Sequence, residues 1–133
     1  MEVKNIYEAL KTAPEDPKVN IKHALVVEGK NIGYHVAEVS QQVQAHVHRN
    51  GDEIYHVLKG EGLMHVGKVT FKGDKPVKVV WAPPVKVKPD DVFNITEGHA
   101  HSLKNTGKTP LIISFICPHT HLTTDRSIVD NPS

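Results

Sequence analysis

The run Ala45-His46-Val47-His48-Arg49-Asn50-Gly51-Asp52-Glu53 holds two imidazoles two residues apart and, five residues after the second, a carboxylate. A β-strand turns successive side chains to opposite faces, so an i, i+2 pair aims both rings the same way. Past a turn at Asn50-Gly51, Glu53 opens the next extended segment and can swing its carboxylate back toward the rings. Two imidazoles and a carboxylate with open positions beside them suit a first-row divalent metal. A second pair, His99 and His101, stands in Gly98-His99-Ala100-His101-Ser102-Leu103-Lys104-Asn105, and a third, His119 and His121, follows Pro118. With ten histidines in 133 residues, one such pair is expected about once by composition alone. The wider set adds Glu53, then Gly60 seven residues on, and downstream Gly98, His101 and Asn105; together it arises by composition in roughly one chain in ten thousand.

The elements that must position these residues read as short strands. Ile6, Tyr7, Ala9, Leu10 and Ala13 follow helical spacing before Pro14 and Pro17 end it, so residues 4–13 form one short helix. From His23 onward, segments rich in Val and Ile are broken by Gly, Pro or Asn every eight to twelve residues, the pattern of an all-β sandwich or barrel. The expected strands are 23–28, 33–40, 44–48, 53–59, 62–71, 77–81, 85–87, 91–96, 100–105 and 111–117. The helix and lead-in occupy residues 1–22, the barrel 23–117, and a polar tail 118–133, expected to be loose or packed on an edge. In Val85-Lys86-Val87-Lys88 both valines are expected to face inward.

Composition narrows the class. The chain is long enough for one domain with its own core and too short for two. Sixteen Lys plus Arg against fifteen Asp plus Glu leave a net charge of +1, without the basic excess that nucleic-acid binding requires. The longest apolar run, Leu111 to Cys117, is too short to span a bilayer, and the N-terminus lacks an apolar leader. The lone Cys117 reads as a buried reduced thiol, which places the protein in the cytoplasm.

The motifs resemble the cupin superfamily. His46-x-His48-x4-Glu53-x6-Gly60 is similar to the core of the first cupin motif, and Gly98-x2-His101-x3-Asn105 to the end of the second, within a resemblance that covers residues 33–117. Ser40 and Asp90 stand where the two motifs open with Gly, and Thr96 replaces a Pro, which bears on turn geometry and not on ligands. The resemblance implies a double-stranded β-helix, or jelly-roll barrel, that binds one divalent transition metal (Mn, Fe, Ni, Cu or Zn) through His46, His48, Glu53 and His101. It also implies a homodimer, with its interface sought on the N-terminal helix and the outward face of the barrel.

Strand alternation sends Glu53, Tyr55 and Val57 inward and His56 outward. Tyr55 and Leu103, by parity with the ligands, and His99, beside the turn, are the expected walls of a pocket for a small oxygen-rich molecule. Catalytic residues are not identified; His99, Tyr55 and His35 are the available acids and bases. Otherwise His23, His35 and His65 are expected on surfaces; His119 and His121 could cap the pocket mouth or bind adventitious metal, but a solvated tail is the expectation for them. Two function classes fit: a metal-dependent enzyme of the dioxygenase, decarboxylase, lyase or isomerase type, and a non-catalytic module that senses or stores a small ligand or the metal. No Ser or Cys sits in a nucleophile elbow.

Overall fold

The computed structural model describes all 133 residues. A short helix α1 (Ile6–Lys11) precedes β1 (Glu15–Asp16), β2 (Ile21–Glu28), β3 (Ile32–Val39), β4 (His46–Val47), β5 (Glu53–Lys59), β6 (Gly62–Lys72), β7 (Lys75–Trp81), β8 (Val85–Val87), β9 (Val92–Ile95), β10 (His99–Asn105) and β11 (Leu111–Pro118). A 3-10 turn (His119–Leu122) and β12 (Ser127–Ile128) close the chain. Two antiparallel sheets, ordered β1-β2-β3-β11-β5-β9 and β12-β4-β10-β6-β7 with β8 on β6, curl into a jelly-roll barrel. Every long strand expected from the alternation is present. The two-residue strands β1 and β12 were not expected, because two residues are too few to show a period.

The barrel is filled from the inward face of each strand. Ala37 and Val39 of β3, Tyr55 and Val57 of β5, Met64 of β6, Ile95 of β9, Leu103 of β10, and Ile113, Phe115 and Cys117 of β11 form one buried cluster. At about 25 cal/mol per Å² of apolar area, each fully buried Val, Leu, Ile, Met or Phe among them contributes roughly 1.5–3 kcal/mol to holding the strands together. Helix α1 is capped by Asn5, whose side chain accepts from the backbone N–H of Tyr7 and Glu8 at 2.9 and 3.1 Å. It lies on the outer face of the first sheet, where Leu10 and Ala13 pack with Val26 and Val36.

Two turns explain how the motif positions work. Gly60 has φ +87°, and a Cβ there would stand 3.0 Å from Leu111 Cα and from the Pro110 carbonyl oxygen, so both conformation and space call for glycine. Asp90, where the family pattern has Gly, adopts φ +71°; Asp tolerates the left-handed region better than most residues. Asn105 ties the barrel's far end together. Its amide donates to the carbonyls of Val39, Ser40 and Thr109 at 3.1, 3.3 and 2.8 Å, and its oxygen accepts from Gly107 N–H at 2.9 Å.

Three expectations are corrected. His35 is 2% exposed and stacked on Phe115, because β3 turns it inward in register with Ala37 and Val39, so it is not a surface residue. His121 is fully buried, because the segment after Pro118 folds back over the barrel mouth and is not a solvated tail. Of the two valines in β8 only Val87 is buried, and Val85 is 63% exposed; in a three-residue strand at a sheet edge only one residue reaches the core.

Candidate metal centre

Strands β4, β5 and β10 carry the site. His101 of β10 sits directly across from His46 of β4, so the register of the second sheet brings the two histidine motifs together. Glu53 begins β5 in the opposite sheet, behind the Asn50-Gly51 turn, where Gly51 has φ +88°. His46, His48, Glu53 and His101 are all at most 6% exposed. The ring centroids of His46 and His101 are 4.3 Å apart, and those of His48 lie 5.0 and 5.4 Å from them. Ligand atoms of the three histidines fall within 4.8 Å of one another. Glu53 Oε2 is 3.2 Å from His101 Nε2 and 3.8 Å from His48 Nε2, separations of the size expected between donors around one ion with bonds of about 2.1 Å.

Hydrogen bonds fix which nitrogen faces inward. The Nδ1–H of His46 donates to the Gln44 carbonyl at 2.7 Å, and that of His48 to the Asp125 carbonyl at 2.6 Å. Both rings therefore present the Nε2 lone pair to the centre, the arrangement usual for a ligating histidine. His101 contacts Glu53 without hydrogen-bond geometry, and neither of its buried ring nitrogens has a hydrogen-bond partner. A buried unpaired imidazole is costly, and a cation on its lone pair removes the cost.

The electrostatics agree with that fit. Burial, then the neighbouring His101 and His48, holds the His46 imidazole well below its ordinary range, and burial brings His48 down to about 4 against the pull of Glu53. Burial would raise Glu53, but His101 and His121 beside it prevail and keep it well below the usual carboxylate range. Neutral imidazoles and an ionised carboxylate are the states a divalent cation needs. The donor set therefore fits one first-row ion.

Tyr55 is 4% exposed and lies edge-on to His101 at 5.9 Å; burial and the Glu53 charge push its hydroxyl pKa well up, so it keeps its proton. It lines a cavity of about 20 Å³ together with His23, His46, His48, Glu53, Phe115, Leu122 and Arg126. Leu103, 1% exposed, is packed in the core cluster. His99 is half-buried, with its Nδ1 3.2 Å from the Glu97 carbonyl. Neither Leu103 nor His99 lines that cavity. His56 faces out and meets Asp90 at 3.2 Å. A larger groove of about 610 Å³ runs past Glu61, Lys86, Lys88 and Asp91 on the outside, away from the histidines.

Sequence reasoning missed two residues at the centre. His121 stacks on His48 with centroids 4.0 Å apart and rings 4° from parallel, and reaches Glu53. Its signal is a third His-x-His pair with the spacing of the other two, for which a cap on the pocket mouth is the alternative to the expected solvated tail. Arg126 lines the cavity from the same segment and pairs with Asp16 of β1 at 2.8 Å, where His23 also binds at 3.0 Å. Nothing in the local sequence points to that pairing of residues 110 positions apart.

The comparisons with known proteins agree on the fold. A Klebsiella pneumoniae protein described as an uncharacterized conserved protein with a double-stranded β-helix domain superposes with a TM-score of 0.72 at 16% identity, over 98% of this chain and 99% of its own. A predicted oxalate decarboxylase from Thermotoga maritima gives 0.68 at 22% identity, over 88% and 98%. A hydroquinone 1,2-dioxygenase solved with Cd2+ and 4-hydroxybenzonitrile gives 0.66 at 18% identity, over 86% and 71%. No curated protein sequence matches the chain. The Cupin domain family matches residues 33–117, from within β3, the strand that carries His35, to Cys117 in β11. With both histidine motifs inside that span and meeting in one barrel, the chain belongs to the cupin family.

Proposed function

We propose that this protein holds one divalent transition metal on His46, His48, Glu53 and His101 and acts on a small oxygen-rich molecule there, as a metal-dependent enzyme of the dioxygenase, decarboxylase, lyase or isomerase type. The observation that carries the reading is the pair of Nδ1–H bonds from His46 and His48 to backbone carbonyls, which commits two Nε2 lone pairs to a centre that already holds a buried carboxylate. When bound, such an ion supplies Lewis acidity or a redox centre. The chain's own residues orient and shield: Phe115, Ile21, Val19 and Leu122 wall the cavity with apolar surface, and Tyr55 offers it a protonated hydroxyl.

A specific observation favours a second reading, a binding module without turnover. The cavity beside the ligands measures about 20 Å³, room for little more than one water, which suits a module that holds the ion itself; any organic ligand needs the cavity to widen. The buried thiol of Cys117 fits a reducing compartment such as the cytoplasm, and no helix is long and apolar enough to cross a membrane. We further propose a homodimer through the outer face of the first sheet, where a shallow groove of about 130 Å³ runs between Tyr34, Ile54, Val92 and Ile116.

Elemental analysis of untagged protein purified without chelator is expected to show close to one metal per chain, and His48→Ala to lose most of it while staying folded. Wild type that stays metal-free after supplementation sinks the metal reading. With the loaded protein, a panel of bidentate small acids and enediols assayed with and without O₂ separates the two classes. Turnover supports the enzyme, and binding without turnover under any condition supports the module.

A further inference from the structure

His121 lies outside the family-matched span of 33–117, yet it is as buried as the ligands themselves. It belongs to a strap, residues 118–131, laid along the first histidine motif. Asp125 accepts from the backbone N–H of Arg49 and Asn50 at 2.7 and 2.9 Å, Ser127 and Ile128 pair with Val47 and His46, and Ala45 N–H donates to Asn131 at 2.8 Å. Gly51 admits the strap: a Cβ there would stand 2.6 Å from Pro118 Cγ.

His121 sits close enough to Glu53 and His48 to be read as a ligand. Ring geometry speaks against that. An imidazole binds a metal in the plane of its ring, about 2.1 Å from nitrogen. The rings of His121 and His48 are 4° from parallel and stacked 4.0 Å apart, so no point lies near both planes, and an ion held by His48 is out of reach of the His121 lone pair. The neighbours of its two nitrogens give a different role. Nε2 is 2.8 Å from the Asn50 carbonyl and Nδ1 is 3.4 Å from Glu53 Oε1. Carbonyl and carboxylate oxygens accept, so Nδ1 is placed to donate to Glu53 Oε1 and Nε2 to the Asn50 carbonyl. The two oxygens of Glu53 are thus divided: Oε1 faces His121, and Oε2 faces His48 and His101.

We propose that His121 is a positioning residue of the metal centre, holding Oε1 of Glu53 so that Oε2 alone faces the ion, and that the C-terminal strap thereby completes the site. This rests on the metal reading above. A carboxylate freed of that bond can rotate and take up both oxygens or leave the ion, so loss of the donor changes affinity and coordination together.

The test uses cobalt(II) as probe, with affinity from chelator competition and geometry from the visible spectrum. His121→Asn puts an amide nitrogen near the position of Nδ1 and keeps the donor to Glu53; His121→Gln puts it near Nε2, facing Asn50, and loses that donor. Melting of the metal-free proteins confirms that both variants fold. The Asn variant is expected within about threefold of wild-type affinity with an unchanged spectrum, and the Gln variant 10- to 100-fold weaker with shifted bands. In a Glu53→Ala background the Gln substitution is expected to have no further effect on affinity. Equal behaviour of the Asn and Gln variants, or an undiminished loss in the Glu53→Ala background, overturns the role of His121 while leaving the metal site standing. A wild type that takes up no cobalt overturns the metal reading itself, and the proposal with it.

Discussion

Replacing His35 by Phe isolates one buried titration. The ring is 2% exposed, stacked on Phe115 at 4.8 Å and 10°, and neither nitrogen has a hydrogen-bond partner. Burial, with a smaller push from His23 that outweighs the attraction of Glu53, brings its pKa down to about 4. An unfolded histidine titrates near about 6.5, so the native state binds fewer protons than the unfolded one between those values. The stabilisation from keeping His35 neutral is complete above pH ~6.5, falls away as the pH drops from there toward ~4, and changes no further below. With these two pKa values the linkage relation gives a loss of ~2 kcal/mol at pH 5 and ~0.2 kcal/mol at pH 7, a difference of ~1.8 kcal/mol. Urea unfolding of metal-free wild type and His35→Phe at both pH values measures it. The titrations of His46 and His48 are common to the two proteins and cancel in the comparison. At pH 7 the variant is expected to equal or exceed wild type, since it buries no unpaired nitrogen, and at pH 5 the gap in its favour is expected to widen by about 1.8 kcal/mol. His35→Leu, smaller than the phenyl ring, is expected to show the same widening. A gap that does not change with pH in either variant refutes the buried, neutral imidazole.

Asn105→Ala removes four hydrogen bonds to the backbone of two segments, Val39–Ser40 and the loop 107–109, and is expected to cost roughly 2–4 kcal/mol in urea unfolding, while metal affinity stays within about threefold because no ligand touches it. Ile54, 43% exposed, lies in the outer groove beside Val92 at 59%. Ile54→Lys is expected to convert a dimer to a monomer in sedimentation velocity, and a wild type that stays monomeric at high concentration removes the dimer proposal.

The fold was legible wherever a strand was long enough to alternate. β5 shows it best: Glu53, Tyr55 and Val57 face in at 3, 4 and 0% exposure and His56 faces out, as the period of two requires. The grouping of the four candidate ligands was legible too, because three of the four, His46, His48 and Glu53, lie in one strand-and-turn unit and metal chemistry limits which residue types can serve. What the tertiary structure alone decided are contacts whose partners share no local pattern. The pairing of β10 with β4 sets His101 against His46, and a strand's sequence carries no record of its neighbour. His35 was misplaced because a histidine on an inward position reads as polar, and only packing against Phe115 shows where it lies. His121, Asp125 and Arg126 became part of the site because the strap folds back 70 to 110 residues along the chain to Asn50, His48 and Asp16. Two-residue strands and single side-chain bonds carry that return, and neither leaves a periodicity to read; the cost of closing so long a loop is met by burial that exists only once the barrel has formed.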